Sequence, residues 1–415
     1  MLDARFSRKG IGSKLLPFVA ALGLQFAIIE PTLAQTLTTL YTFTGGNAGA
    51  NPTAGLVWGN GNLYGTTSYG GKYGGGTLFA IGSAGNEAVL TPFYPDYGDT
   101  PLDAPIVGGS TYFMGLGQEF LLTASAGGHD GCGAIILATN TGYAIPVYSF
   151  SGGADGCSPM GRLVRAGGGA FYGTASGGGS SSAGTIFRIA KDGPYLQYRF
   201  SLVYTFTGGA DGGAPQGTLI LDKQGNLYGT TSSGGAYGVG AVFEINDAGE
   251  TVLYSFKGGS DGANPTGDLL LDSKGNFYGT TSGGGASGLG TVYEVNAGGV
   301  ETMFYGFAGG SDGARPAAGV IKDGNENLYG TTVYGGSGAV CNQYQPLNGC
   351  GTVFEISAQG RETVLYSFTG GADGGEPYGK LTRDEQGNLY GTASQGGDLE
   401  SCSELGCGVV FELTP

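Results

Sequence analysis

The chain is poor in the residues on which many enzymes and nucleic-acid binders depend. It has one histidine, His129, in 415 residues. A Ser-His-Asp or Cys-His mechanism would have to run through it, and one imidazole with scattered carboxylates is a thin ligand set for zinc. Basic residues number 18 against 33 acidic ones, a formal net charge of −15, so the basic footprint of nucleic-acid binding is absent. Charged residues are only 12% of the chain, which leaves Gly, Ser, Thr, Asn and Tyr to cover the surface. No cysteines follow the C-x-x-C spacing of metal and redox sites. Beyond residue 34, no apolar run has the length or the 3.6 period of a helix.

What the chain has in abundance is glycine, 89 residues, with 25 Tyr and 21 Phe. The glycines recur at fixed places, and the aromatics recur between them. A clean unit runs from Gly217 to Phe256, with four apolar runs: TLILD, NLYGTT, AVFEI and ETVLYSF. Each is short, rich in β-branched and aromatic residues, and bounded by turn residues, which is the signature of a strand. Asp222 to Asn226 reads as a tight hairpin with Gly225 at positive φ and Asp222 bonding back to the turn. Asn246 to Gly249 reads as a second hairpin. A repeat of about 50 residues with four strands, A to D, points to a β-propeller blade.

The fourth strand sets the count. Its copies end at Phe43, Phe93, Phe150, Phe206, Phe256, Phe307 and Phe368, which makes seven blades. The second blade is the most eroded: EFLLTA at Glu119 stands where others have NLYGTT. After residue 34 the chain opens on a D strand, Leu37–Phe43, and closes on a C strand, Val409–Leu413. Pairing the two would complete the seventh blade and leave no open sheet edge. The expected fold is all-β, a seven-bladed propeller with four strands per blade, closed by 37–43 against 409–413. The single domain is 35–415. Residues 1–34 read as a secretory signal, with Arg5, Arg8, Lys9 and Lys14, an apolar run Leu15–Ile29, and Thr32-Leu33-Ala34 before Gln35. Without that leader the balance is 14 basic to 31 acidic residues, or −17.

The motifs GNLYGTT, GTVFEI and ETVLYSFTGGxDGxxP together resemble the GloVer repeat family, extracellular tandem-repeat proteins of bacteria. The resemblance covers Leu37 to Pro415 and implies export. It carries over no catalytic residues. Family members often bear a C-terminal sorting anchor, whereas this sequence stops at Pro415.

Several residues could carry chemistry. The D-to-A connection repeats as GG[AS]DG and supplies Asp155, Asp211, Asp261, Asp312 and Asp373. They read either as a ring of ligand-binding carboxylates at the channel mouth, for a cation such as Ca²⁺ or for sugar hydroxyls, or as turn residues capping local N–H groups. Repetition favours the turn, since every blade needs the same one; the first copy has Asn47-Ala48-Gly49 instead. The first Thr of strand B recurs as Thr66, Thr123, Thr174, Thr230, Thr280, Thr331 and Thr392. Buried hydroxyls need partners, so bonds to adjacent loops are expected. His129 reads as a surface loop residue and Trp58 as a core residue. Tyr69, Tyr73, Tyr237, Tyr334 and Tyr344 give a weak sugar-stacking signal.

The six cysteines are even in number behind an export signal, so disulfides are expected. Local pairing joins Cys341 to Cys350 and Cys402 to Cys407. Cys132 and Cys157 remain, on loops of one face in neighbouring blades. No catalytic set, no metal ligands and no cofactor are assigned. The expected protein is a secreted or periplasmic monomer without a membrane span after signal cleavage, a non-catalytic binding or scaffold module for an extracellular glycan or protein. The alternatives are a lectin with one sugar site per blade, or a lyase or hydrolase using the channel-mouth carboxylates.

Overall fold

The computed structural model describes residues 35–414 except 83–84, 109–116, 194–196, 339–340, 342–346 and 403–404. The expected signal segment and Tyr344 lie outside the described residues. Residues 35–415 form one compact unit. Seven four-stranded antiparallel sheets follow one another, each in the order A-B-C-D. In blade four, strand B (Leu227–Thr231) pairs with C (Ala241–Asn246), and C pairs with D (Gly249–Ser255). The A–B hairpin has the expected chemistry: Asp222 Oδ1 accepts the N–H groups of Gln224 and Asn226 at 2.9 and 2.8 Å, and Gly225 sits at φ 95°. Strand A differs from the expected run TLILD, since only Ile220–Leu221 pairs. The preceding residues turn inward to pack against the next blade.

The ring closes as expected. Strand Thr36–Thr42 pairs antiparallel with Val409–Thr414, Leu37 opposite Leu413, and forms the outer strand of the seventh blade.

The blades are welded by aromatic contacts. All seven D-strand phenylalanines are 0% exposed. Six meet an aromatic of strand C in the next blade, edge-on: Phe43 on Phe79 at 5.1 Å, Phe206 on Phe243 at 5.2 Å, Phe368 on Phe411 at 5.1 Å, and likewise Phe150 on Phe187, Phe256 on Tyr293 and Phe307 on Phe354. Such pairs add about 0.5–1.5 kcal/mol each beyond burial. The strand-C aromatic explains the glycine of strand B directly across from it. A Cβ on Gly229 would lie 2.7 Å from Phe243 Cζ, and one on Gly173 2.5 Å from Phe187 Cζ. The eroded blade solves the same volume problem the other way. Ile136 replaces the aromatic, and Leu122 faces it in place of glycine, both in one core with Phe93.

Three disulfides join the expected partners, with Cα–Cα distances of 4.6 Å for Cys132–Cys157 and 5.2 Å for both Cys341–Cys350 and Cys402–Cys407. The first bridges the B–C loop of blade two to the D–A loop entering blade three.

Candidate functional site: the axial funnel

Each chain segment entering strand A carries a proline, and the two or three residues after it reach the axis. Their placement is enforced by the blade before. The strand-B threonine of one blade donates its hydroxyl to a carbonyl of the next: Thr123 to Gly161 at 3.0 Å, Thr280 to Ala318 at 2.8 Å, Thr392 to Ala54 at 2.7 Å, with Thr66, Thr174 and Thr230 making longer bonds to Asp103, Gly217 and Gly267. The threonine ring therefore does the structural work expected of it, except at Thr331, whose buried hydroxyl has no hydrogen-bond partner among the described residues. The segments crowd. A Cβ on Gly161 would lie 2.6 Å from Gly217 O, and one on Gly379 2.6 Å from Ala54 O. Each residue before the proline takes positive φ, including Asn264 at 55° and Arg315 at 53°, a conformation rare for residues with a side chain.

This collar surrounds a cavity of about 630 Å³, within the range of small-molecule sites, and every blade contributes to it. The residue after each proline lines it: Thr53, Leu102, Met160, Gln216, Thr266, Ala317 and Tyr378. Deeper lie Asp103, Asp268 and Lys380. Asp103 accepts the N–H of Ala104 at 2.6 Å, the N–H of Arg162 at 2.7 Å and the hydroxyl of Thr218 at 3.0 Å. Asp268 accepts the N–H of Thr218 at 2.7 Å, and its other oxygen is 3.6 Å from Lys380 Nζ. Thr218 thus links two carboxylates from blades two and five. Burial, with the charge of Asp268 added, raises the Asp103 carboxyl to about 6, against opposing backbone N–H groups and the charge of Arg162. The floor can hold a proton near neutral pH and present a carboxylate and an ammonium side by side.

The five repeat aspartates lie elsewhere. None lines the funnel; each is bound to its own loop beside the outer strand. Asp211 accepts the N–H of Thr207 at 2.8 Å, the Thr207 hydroxyl, and the Tyr204 hydroxyl at 3.1 Å. Asp155 and Asp373 repeat all three bonds. Asp261 and Asp312 keep the tyrosine and backbone bonds. Burial would raise the Asp155 carboxyl, but the donors from Ser151 and Tyr148 outweigh it and hold it below the usual value. Among the described residues, no group of three or more His, Cys, Asp or Glu is arranged to hold a metal ion.

His129 is on the surface, bonded to Asp130 at 2.9 Å with its side chain 86% exposed. Trp58 departs from the core placement expected of it: it is 40% exposed, and it touches Tyr390 of the neighbouring seventh blade edge-on. Tyr69 and Tyr237 are exposed, Tyr73 stacks on Tyr94 at 3.6 Å, and Tyr334 stands in the funnel wall. The funnel residues Asp103, Asp268, Arg315, Tyr378 and Lys380, and Arg162 and Thr218 bonded to the two carboxylates, were not singled out by the sequence. The signal was present as variation. At the first and third positions after the proline the residue varies from blade to blade, and at the second Asp103 breaks a run of Gly and Ala.

A seven-bladed propeller with one axial pocket is thereby defined as the class of protein. The Gloeobacter/Verrucomicrobia repeat family matches residues 110–344, more than half of the chain, and the protein belongs to that family. No curated protein matches the sequence. Among solved structures, the chain is similar to a gluconolactonase from Xanthomonas campestris, at 13% identity over 91% of this chain and 89% of that one, with a TM-score of 0.43. It is similar also to a luciferin-regenerating enzyme, at 12% identity over 92% and 95%, with a TM-score of 0.43.

Proposed function

We propose that the protein is an exported, non-catalytic binding propeller that holds a small polar ligand in the axial funnel. The observation that carries this reading is the funnel itself: one cavity, built by all seven blades, whose lining side chains vary around the ring. A lectin with one site per blade would instead need alike pockets repeated around the ring. Export is supported by the three disulfides, bonds that persist in oxidising compartments. No helix among the described residues is long and apolar enough to cross a membrane. A thermal-shift screen of soluble metabolites and saccharides, with and without Ca²⁺, tests the reading. A ligand at about 100 times its Kd stabilises by about 2.7 kcal/mol. The shift is expected in the wild type and should vanish in Asp268→Asn and Lys380→Met. Hits that survive both substitutions would place binding elsewhere.

A second reading, a hydrolase or lyase working from the funnel floor, is favoured by the Asp103 carboxyl, which can exchange a proton near neutral pH. It requires turnover of a bound compound, abolished by Asp103→Asn with binding retained. A bound compound recovered unchanged after long incubation would leave the binding reading alone.

A further inference from the structure

We infer that the funnel is built for an acidic saccharide, a hydroxyl-rich ring that bears a carboxylate. This rests on the reading of the funnel as the ligand site and adds the chemistry of its occupant.

The funnel is two-sided. The chain has only 18 Lys and Arg, yet Arg315 and Lys380 both stand in the wall made by blades six and seven. Lys380 already has Asp268 beside it at 3.6 Å. Arg315 is exposed to the cavity and forms no ion pair among the described residues. Its charge reaches Tyr378, whose phenol burial pushes well above the usual range, helped by a hydrogen bond with Tyr334. The carboxyl behind this wall, Glu376, is 4% exposed, and burial raises it to about 7, so it is a weak competitor for the guanidinium. A free guanidinium at the lip of a pocket in an acidic protein matches a carboxylate in geometry and charge.

The neighbouring wall offers acceptors. The Gln216 amide donates to Ser232 Oγ at 3.4 Å, and the Asn264 amide donates to Ser232 O at 2.9 Å. The hydroxyls of Thr266 and Ser282 are likewise donated to backbone carbonyls. What remains for a ligand at each amide is the carbonyl oxygen and one N–H, and the threonine and serine oxygens can still accept, a mixed set that suits hydroxyls, which both donate and accept. Tyr378 is 36% exposed and presents its ring, and Leu102 and Met160 line the cavity as apolar residues. A ring with hydroxyls, an apolar C–H face and one carboxylate uses each of these surfaces. A neutral sugar would leave the guanidinium unused, and a simple carboxylic acid would leave the amide oxygens unused.

Isothermal titration of the full-length protein with galacturonate oligomers and with galactose oligomers of equal length decides the matter. The acidic series is expected to bind at least about tenfold tighter at low salt, an advantage that shrinks as ionic strength rises. Arg315→Gln is expected to erase it; the side chain is exposed, and an unchanged melting curve verifies the fold. Equal binding of the two series, both lost in Asp268→Asn, would overturn the acidic ligand and leave the funnel site standing. Binding of neither series, in a protein whose screening hits are insensitive to Asp268→Asn and Lys380→Met, would overturn both.

Discussion

Beside the outer strands, Asp155, Asp211, Asp261, Asp312 and Asp373 do one job five times, each tying the end of its strand D to its own loop. At the axis, the position three residues after the proline holds Gly55, Ala104, Arg162, Thr218, Asp268, Gly319 and Lys380 in turn. Each blade needs the same rim to turn from strand D into the next strand A, so rim residues repeat. The seven segments at the axis meet one another in a single space, where identical charged side chains would collide and repel. Repetition there is confined to the small residue two positions after the proline, as in Gly161, Gly217, Gly267 and Gly379, where the segments crowd. In a repeat protein, the conserved polar residue of the unit marks scaffold, and departures from the unit mark chemistry.

The largest effect that can test this contrast lies in ring closure. Removing residues 35–43 takes away an outer strand and Phe43, which is 0% exposed and packed on Phe79. Phe43→Ala alone is expected to cost about 3–5 kcal/mol, and the deletion more, read from urea midpoints. A deletion that melts with the wild type would show that the ring does not depend on closure.

Next in size is the staple beside the eroded blade. Cys132 and Cys157 are 25 residues apart, and replacing both with serine should cost about 3–4 kcal/mol on the chain-entropy view. Funnel binding should be unchanged. A loss of binding at constant stability would mean that this loop face communicates with the axis.

Smaller still is a single rim carboxylate. Asp211→Ala removes the acceptor of the Thr207 N–H and the Tyr204 hydroxyl, and about 1–2 kcal/mol of stability should go with it. Ligand affinity should stay within twofold. A large drop in affinity from this substitution would reinstate the rim as a binding surface.

The smallest effect is spread over pH. Burial, with Asp261 hydrogen-bonded beside it, raises Glu301 to about 7, and burial with the charge of Asp312 raises Glu362 to about 7. Both folded values exceed the ordinary 4.5. Their stabilising contribution is therefore fully present below that value and is lost as pH rises through about 7. Asp155 runs oppositely: it is held below 3.8, and its contribution is lost only in stronger acid. The melting temperature should be higher at about pH 5.5 than at pH 8, and Glu301→Gln with Glu362→Gln should reduce the difference, with Glu376 and Asp103, raised in the same window, keeping the rest. A protein more stable at pH 8 would contradict the assignment of these groups.

The fold was legible because its constraints recur. The glycine of NLYGTT, the closing phenylalanine and the Asp-Gly turn each appear in most blades, and each answers a packing need seen in the structure. Closure could be read from a D strand at one end and a C strand at the other. The disulfides followed from loops on a common face. The funnel was not legible, because Asp103, Asp268 and Lys380 become neighbours only when blades two, five and seven are brought around a ring. The length of strand A depends likewise on the inward turn of the residues that precede it. The eroded second blade concealed a compensation, Leu122 with Ile136 in place of glycine with an aromatic, which is visible only once the two strands are in register.

The most direct test is a crystal structure of the protein grown with the tightest-binding compound from the screen. Density for one ligand in the funnel, against Arg315, Tyr378 and Asp268, is the expected result. Density at the rim aspartates, or the same ligand repeated from blade to blade, would contradict the division of labour between rim and axis.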